Sequence, residues 1–377
     1  MTLAWALALT CLVLVILNLI SDAIAIWHSK PRATPLPPPA DAPPVSIVRP
    51  CCGIDNFCEE TLGSSFKLDY PHYEVIFCVA RGNDPVVPVL QKLIAANASV
   101  PARLIIGDER VSANPKLNNC VRGWDAARYD WIILADSNVL MPRDYIQRLL
   151  AAWKPTTGLV CSMPQGSHPQ NIWAELEIAF LNTYQARWQY AADGVGTGFA
   201  QGKNMLWRRD ILEAGGGIRA LAAEIAEDAA STKVVRAAGL NINLVDSPFP
   251  QPLGKRTLRD IWNRQIRWAR MRRKTFPLHF LPEILSGSAT PAVIGAYAGG
   301  LFGFNPLLAG ALVLAVLYSG EAALARSNRW FFSWRMPLLF LLRDAMLPIV
   351  YVDAWLVNDF VWRGTEMTMR EEERPST

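Results

Sequence analysis

The stretch of sequence that decides the fold is WIILADSN at residues 131–138, a short apolar run that ends in a carboxylate. Similar strand-like runs occupy residues 45–48, 73–79 and 103–107. Stretches with helical spacing, such as residues 86–94, lie between these runs. Such alternation is typical of an α/β domain with a mostly parallel sheet and helices on both faces. We therefore expect a domain of this class in the middle of the chain.

Two aspartates each follow one of these runs. In open parallel sheets, ligands bind beyond the carboxyl ends of the strands. Asp84 lies in the loop after residues 73–79, and Asp136 comes directly after residue 135. Either side chain could instead cap a helix or start a turn. Their shared placement favours a common ligand.

Asp136 and Asn138 are suited to a hard divalent cation that is shared with a diphosphate. Such a cation takes oxygen ligands from one or two carboxylates and from the phosphates of the ligand. We expect Asp136 to be the metal ligand and Asn138 to contribute its side-chain oxygen or a water. Asp84 would accept hydrogen bonds from the nucleoside end of that ligand. Lys116 is a further candidate on this donor side.

A second acidic pair, Glu227-Asp228, could activate an alcohol that attacks the ligand carrying the diphosphate, which we call the donor. An alcohol is a poor nucleophile unless a base removes its proton during the attack, and Asp228 is our candidate for that base. The alternative is a structural one, because acids are also favoured in the first turn of a helix and residues 229–237 continue with helical spacing.

A glycine-rich segment, GVGTGFAQGKN at residues 194–204, precedes this pair. Its glycines permit a close approach of the backbone to a ligand, and Lys203 and Asn204 supply hydrogen-bond donors. The spacing is not that of a phosphate-binding P-loop. We expect this segment to form a loop at the site of the attacking alcohol, the acceptor site.

Residues 255–274 contain nine basic residues and one acid, Asp260. On a helix, Arg264 and Arg267 would lie side by side, and the planar guanidinium suits phosphate oxygens. Trp268 could pack against a sugar or a lipid. The alternative is an interfacial helix whose cations attract anionic lipids, a role that best fits residues 270–274. The predicted apolar stripe of this helix contains Leu258, Trp262, Ile266 and Ala269.

The two ends of the chain are apolar. Residues 1–21 carry no charge, which is enough for a helix to cross a bilayer. A cleaved signal peptide is the alternative, but the basic n-region is missing and the apolar run is too long. His28, Lys30 and Arg32 follow this run, and Arg326, Arg329 and Arg335 separate two later apolar segments. The positive-inside tendency therefore places the middle of the chain in the cytoplasm, at the inner membrane if the source is bacterial.

These observations predict a multi-pass integral membrane protein with four membrane segments. The predicted parts are an N-terminal transmembrane helix at 1–27, a Pro-rich linker at 28–44, a cytosolic catalytic domain at 45–254, basic interfacial helices at 255–285, a transmembrane hairpin at 286–325, a C-terminal transmembrane helix at 336–358 and a polar tail at 359–377. The last apolar segment also carries charges that are either functional or mutually paired. They are Arg343, Asp344, Asp353 and Asp359.

Composition argues against other classes of protein. The net charge of +4 is too small to indicate a nucleic acid as partner. Seven cysteines form no complete disulfide framework and have no regular metal-ligand spacing. Nothing in the sequence indicates an oligomeric state.

The ordered set of Asp84, Asp136, Asp228 and RQIRW at 264–268 resembles the D, D, D, (Q/R)xxRW signature of inverting membrane glycosyltransferases. Within that group the chain looks like the family of ceramide glucosyltransferases. Supporting segments are residues 68–75, 114–119, 226–228 and 343–346, and the likeness runs from about residue 45 to about residue 363.

This resemblance implies an A-type nucleotide-sugar glycosyltransferase fold, UDP-glucose as donor, Mg²⁺ or Mn²⁺ as cation, and ceramide as acceptor in the bilayer. The product would be β-linked glucosylceramide. Asp84 would contact uridine, Asp136 the metal-diphosphate, and Asp228 would be the base, while Arg264, Arg267 and Trp268 would hold the diphosphate and the acceptor.

One motif departs from the wider superfamily. The usual DxD is Asp136-Ser137-Asn138 here, so the second carboxylate is missing and the metal would be held more weakly. The same reaction with another lipid or sugar is the alternative: diacylglycerol or a hopanoid as acceptor, UDP-galactose or UDP-glucuronate as donor. A processive polysaccharide synthase shares the signature but should have more spans.

Overall fold

A seven-stranded sheet forms the centre of the computed structural model, which describes residues 1–29, 31, 34–362 and 365–368. Lys30, Arg32, Arg363 and residues 369–377 of the predicted tail lie outside the described residues. The strands are β1 Val45–Cys51, β2 Tyr73–Val79, β3 Ala102–Ile106, β4 Trp131–Ala135, β5 Thr157–Cys161, β6 Gln165–Pro169, β7 Asn204–Arg208, β8 Asn241–Leu244, β9 Pro250–Gly254, β10 Asp359–Trp362 and β11 Thr365–Thr368.

The order of the central sheet is β3-β2-β1-β4-β7-β5-β8. All neighbours are parallel except β7, which runs antiparallel to β4 and to β5. Two small sheets stand beside it, the parallel pair β6-β9 and the antiparallel pair β10-β11. The mostly parallel sheet that the sequence predicts is confirmed.

Fourteen α-helices lie in the part of the chain that the structure describes. They are α1 Thr2–His28, α2 Cys58–Gly63, α3 Val86–Ala96, α4 Pro115–Ala126, α5 Tyr145–Ala151, α6 Ile172–Ile178, α7 Ala186–Gly194, α8 Arg209–Ala214, α9 Glu227–Ala237, α10 Leu258–Thr275, α11 Pro277–Phe280, α12 Ala289–Leu301, α13 Pro306–Ser327 and α14 Met336–Leu356. A π-helical segment, Ala179–Gln185, joins α6 to α7.

The sheet is buried on both faces, as a parallel sheet requires. Alternate side chains of one strand enter two different hydrophobic clusters, because successive residues point to opposite faces. Val48 and Leu134 belong to the cluster that includes α4, whereas Ile47 and Ile133 belong to the cluster that includes α3 and α5. Both clusters hold the central strands in place and fix where their carboxyl ends emerge.

The terminal helices carry a large apolar surface. Helices α1 and α13, with 27 and 22 residues, are long and apolar enough to cross a membrane. The predicted hairpin is asymmetric, since α12 has only 13 residues. Large apolar side chains remain exposed on α1, α12, α13 and α14, and a surface of this kind indicates association with a membrane. Examples are Leu9, Leu12, Ile16, Tyr297, Leu308, Leu312, Leu338, Leu341, Ile349 and Val352.

Buried ion pairs connect these helices to one another and to α7 beside the central sheet. Arg343 of α14 binds both carboxylate oxygens of Glu321 on α13 at 2.6 and 2.7 Å. Its Nε donates to Asp344 at 2.9 Å. Arg187 of α7 lies 3.7 Å from Glu321 and 3.7 Å from Asp22 of α1. Arg343 and Asp344, two of the charges in the last apolar segment, are therefore paired within the protein.

We expect Glu321→Ala to destabilise the protein strongly. Removing one member of a buried ion pair leaves an uncompensated charge, at a cost of about 3–5 kcal/mol. Thermal unfolding in detergent micelles measures the loss.

Glu109→Ala is the matched control, because Arg219 binds Glu109 through the same two-fold geometry at an exposed site. An exposed pair contributes about 0–1 kcal/mol. Equal decreases in melting temperature for the two variants would contradict a stabilising role of the buried network.

Candidate active site

A buried guanidinium shapes the loop that carries Asp136. Arg49 of β1 is fully buried, and its Nη2 donates to the carbonyl oxygens of Asp136, Ser137 and Val139 at 2.9, 3.0 and 3.0 Å. Its Nη1 donates to the carbonyl of Thr61 at 2.7 Å. These bonds satisfy loop carbonyls that would otherwise be buried without partners. The sequence gives no sign of this role, because an arginine inside a strand usually marks a solvent-facing position.

Two ammonium groups hold the carboxylate of Asp136. Lys116 Nζ lies 2.7 Å from Oδ1, and Lys203 Nζ lies 2.7 Å from Oδ2. Burial alone would raise the pKa of Asp136, but Lys116 and Lys203 together hold it well below its usual range. Lys203 Nζ is also 3.4 Å from the side-chain oxygen of Asn138. The predicted donor residues Lys116, Asp136 and Asn138 thus form one cluster with Lys203.

Lys116 connects this cluster to the second acidic pair. Its Nζ lies 2.6 Å from Glu227 Oε1 and also donates to the carbonyl oxygen of Gly202. Burial lowers the pKa of Lys116, but Asp136 and Glu227 more than reverse that effect and raise it above its usual value. Lys116 therefore stays charged, and its ammonium group binds the carboxylates of both Asp136 and Glu227.

Asn114 fixes both Lys116 and Glu227. As the N-cap of α4, its Oδ1 accepts from the backbone N–H groups of Lys116 and Leu117 at 2.9 and 3.2 Å. Its Nδ2 donates to Glu227 Oε2 at 2.6 Å. Because Lys116 and Asn114 occupy both oxygens of Glu227, this residue holds the site together.

Asp228 lies in the first turn of α9, where its carboxylate accepts two backbone hydrogen bonds. Gly202 N donates to Oδ2 at 2.9 Å, and Ala229 N donates to Oδ1 at 2.8 Å. Burial, reinforced by the charge of Glu227, raises the pKa of Asp228 to about 6, although Lys116 and the two N–H groups oppose this rise. A carboxylate with that pKa is suited to accept a proton near neutral pH.

The backbone at Gly202 passes close to the carboxylates of Glu227 and Asp228. A Cβ atom at this position would lie 2.7 Å from Glu227 Oε1 and 3.2 Å from both Asp228 Oδ2 and Lys116 Nζ. Only glycine lets the backbone reach the two carboxylates. The predicted glycine-rich loop therefore does make a close approach, here to the acidic pair itself.

Two predicted residues lie in different surroundings. Asp84 accepts from Gly53 N through both oxygens at 3.0 and 3.1 Å, and from Val86 N at 2.9 Å. It thereby joins the end of β1 to the start of α3. Asn204 is buried at the start of β7, where its side-chain oxygen accepts from the Tyr145 hydroxyl at 2.6 Å. That bond belongs to the core of the sheet, because β7 pairs with β4 at this point.

The RQIRW segment lies on α10, which begins with a capping box between Thr257 and Asp260. Arg264 forms an ion pair with Glu177 of α6, and its guanidinium lies 5.7 Å from the ring centre of Trp268. Arg267 is half-buried. The contact of Arg264 with Glu177 docks α10 against α6.

The buried face of α10 differs from the predicted stripe. Leu258 is exposed, whereas Ile261 and Gln265 are buried together with Ile266 and Ala269. The stripe was predicted from hydrophobicity alone, and it missed Gln265 because its buried amide contacts the Gln185 side chain at 3.1 Å.

The basic end of α10 binds protein acceptors, in contrast to the predicted contact with lipid headgroups. Arg270 is buried and donates to Asp353 of α14 at 2.5 and 3.1 Å. Arg272 pairs with Glu283, and Arg273 donates to Asn358 at 2.5 Å. These guanidinium groups fasten α10 to α14 and to the segment between α11 and α12.

Comparisons with known proteins identify the family to which the chain belongs. A family model described as glycosyl transferase family 21 matches residues 4–375. Ceramide glucosyltransferase 1 of Caenorhabditis elegans is 24% identical over 364 residues, which cover 95% of this chain and 78% of that protein. A ceramide glucosyltransferase of Komagataella phaffii is 41% identical over 115 residues, which cover 29% of this chain and 22% of that protein.

One solved structure shares the overall fold. It is a mannosyltransferase from Pyrobaculum calidifontis in complex with GDP-Man and Mn²⁺, with a TM-score of 0.56 and 17% identity. The match covers 94% of this chain and 97% of that chain. The predicted nucleotide-sugar glycosyltransferase fold is thereby confirmed.

We expect Asn114→Ala to lower both stability and turnover. The variant loses an N-cap, which costs about 0.5–2 kcal/mol, and it also frees Glu227 Oε2. Asn305→Ala is the matched control, because Asn305 also caps a helix that begins with proline and accepts from two backbone N–H groups. Melting temperature and turnover of both variants should be measured. A loss of turnover as large in Asn305→Ala as in Asn114→Ala would contradict the role of Asn114 in the site.

Proposed function

Because the chain belongs to glycosyl transferase family 21, we propose that it transfers glucose from UDP-glucose to the primary hydroxyl of ceramide with inversion, giving β-glucosylceramide. The observation that carries this proposal is the cluster in which Lys116 links Asp136 to the Glu227-Asp228 pair. It unites a cationic site for a diphosphate with a base for an alcohol. The relatives named ceramide glucosyltransferase support the choice of sugar and lipid.

A divalent cation, Mg²⁺ or Mn²⁺, would be held by Asp136 and Asn138 together with the donor phosphates and would neutralise the leaving group. The two side chains fit such a cation, because Asp136 Oδ2 and the Asn138 oxygen already converge on one cationic atom, Lys203 Nζ. Lys116 adds a permanent positive charge beside the same carboxylate. At the nucleoside end, Asp84 would contact uridine with a carboxylate that Gly53 and Val86 hold in place.

Asp228 would act as the base in a single in-line displacement. The ceramide oxygen attacks the anomeric carbon of glucose while the bond from that carbon to the diphosphate oxygen breaks, and the hydroxyl proton passes to Asp228. Backbone N–H groups hold both oxygens of Asp228 at fixed positions, which limits its motion. Attack from the face opposite the leaving group inverts the configuration.

The lipid would enter from the side of the terminal helices. A cleft lies between α10, α14 and the segment before α12, and polar and apolar side chains share its wall. Gln265 and Tyr184 line its polar part, and Phe280, Leu347 and Val350 line its apolar part. Arg264, Arg267 and Trp268, on the same helix as Gln265, would hold the diphosphate and the acceptor.

The proposed topology is multi-pass, with the catalytic domain in the cytoplasm. Spanning by α1 and α13 is supported by their length and apolar composition, and the exposed apolar surfaces of α12 and α14 would complete the membrane region. Arg326 lies in the last turn of α13, Arg329 and Arg335 lie between α13 and α14, and His28 ends α1. The positive-inside tendency supports the cytoplasmic side for these residues.

A matrix of donors and acceptors tests the proposed reaction. Membranes that contain the protein are supplied with UDP-glucose, UDP-galactose, UDP-glucuronate or UDP-N-acetylglucosamine, each with ceramide or diacylglycerol. Mass spectrometry of the lipids should reveal hexosylceramide with UDP-glucose. Product only with diacylglycerol, or only with another donor, would overturn the assignment.

Asp228→Asn should remove nearly all turnover while leaving the affinity for UDP-glucose largely intact. Loss of a general base lowers the rate by about 10²–10⁴-fold. Asp130→Asn is the control, because Asp130 is an exposed aspartate outside the site. Calorimetric titration with UDP-glucose and a turnover assay separate binding from chemistry. Undiminished turnover of Asp228→Asn would remove this residue as the base.

The pH dependence of kcat/KM should have an acidic limb near pH 6. The base must be deprotonated, and burial raises the pKa of Asp228 to about 6, so activity is present above this pH and is lost as the pH falls through it. The residual activity of Asp228→Asn should lack this limb. A wild-type profile that stays flat down to pH 4 would contradict the assignment.

A further inference from the structure

The ammonium group of Lys203 lies where the Asp136-Asn138 pair would bind a cation. Its Nζ is 2.7 Å from Asp136 Oδ2 and 3.4 Å from the Asn138 oxygen. Lys116 occupies the other oxygen of Asp136 at 2.7 Å. Both oxygens of the carboxylate are therefore already bound by positive charges of the protein.

The backbone keeps Lys203 at this position. Asp136 N donates to the carbonyl oxygen of Lys203 at 3.0 Å, where the start of β7 meets the end of β4. The Lys203 side chain is only 14% exposed, and that of Asp136 is 19% exposed, so water screens their attraction weakly. The contact is built into the sheet and does not depend on a flexible surface lysine.

Lys203 can neutralise this site because the second carboxylate of the usual DxD motif is replaced by Asn138. In an Asp-x-Asp pair, a single ammonium group would leave one negative charge for a metal ion. Here Asn138 is neutral, so Lys203 alone balances the charge of Asp136, and Lys116 adds a positive charge that Asp136 shares with Glu227. No group of three or more His, Cys, Asp or Glu side chains is arranged to hold a metal within the described residues. A divalent cation would have to displace an ammonium group and would meet the repulsion of another.

We propose that Lys203 is a built-in counter-ion that excludes Mg²⁺ and Mn²⁺ from the donor-free protein. The cation binds only together with a nucleoside diphosphate, whose phosphate oxygens supply the missing ligands and accept the Lys203 ammonium group. The identity of the nucleoside rests on the proposed function, but the competition between Lys203 and the cation does not.

Mn²⁺ binding measures this competition directly. The free Mn²⁺ signal in electron paramagnetic resonance is titrated with purified full-length protein, first without nucleotide and then with UDP. Lys203→Met, which keeps an unbranched side chain one atom shorter and removes the charge, should bind Mn²⁺ without UDP at least about tenfold more tightly than wild type, or about 1.4 kcal/mol. Adding UDP should raise the affinity of the wild type and reduce the difference.

Lys233→Met is the matched control, because Lys233 also pairs with a carboxylate, that of Glu224, and is half exposed. It should bind Mn²⁺ as the wild type does. Asn138→Asp is the second variant, since it restores a carboxylate that Lys203 cannot neutralise, and it too should bind Mn²⁺ more tightly without UDP.

Wild-type protein that binds Mn²⁺ without UDP as tightly as either variant would overturn the proposal. Failure of the proposed function has a different signature. If the protein uses another sugar or another lipid, the donor and acceptor matrix changes while the Mn²⁺ titrations without nucleotide stay the same.

Discussion

The buried guanidinium of Arg49 is the contact on which the active site depends. It donates hydrogen bonds to the backbone carbonyl oxygens of three residues in the loop after β4. It thereby fixes the direction of Asp136 from inside the sheet. A loop with these carbonyls buried and unpaired would cost about 1–3 kcal/mol for each group. Because β1 lies between β2 and β4, the same residue also ties the loop to the centre of the fold. The position of the donor carboxylate is thus set by the core.

Negative and positive side chains alternate across the site, beginning with Asp136. Lys116 stands between Asp136 and Glu227, and Glu227 stands beside Asp228. The pKa values of the two aspartates move in opposite directions: Lys116 and Lys203 lower that of Asp136, whereas burial, reinforced by Glu227, raises that of Asp228. One carboxylate therefore stays ionised, while the other can take up a proton. A site for transfer of a sugar to an alcohol needs both properties.

The sequence predicted those parts of the site that follow from chain order. Asp136 is predicted because it follows a strand, and Asp228 because it lies beside Glu227 as a candidate base and completes the ordered set of acidic residues. Arg49 could not be predicted, since its partners are backbone carbonyls brought close only by the pairing of β1 with β4. The role of Lys203 as partner of Asp136 depends on the antiparallel insertion of β7, and the strand signals in the sequence did not include β7. The burial of Gln265 on α10 could not be predicted either. A pattern of apolar residues does not reveal a polar side chain that is buried through a hydrogen bond.

The configuration of the product tests the central claim most directly, which is a single displacement with Asp228 as base at a membrane surface. Glucose is α-linked in UDP-glucose, so one in-line attack must give the β-glycoside. The coupling between the first two ring protons of the purified glycolipid, measured by proton magnetic resonance, distinguishes the two forms. We predict the large diaxial coupling of a β-glucoside. The small coupling of an α-glucoside would contradict the account, because retention requires a different arrangement of catalytic groups.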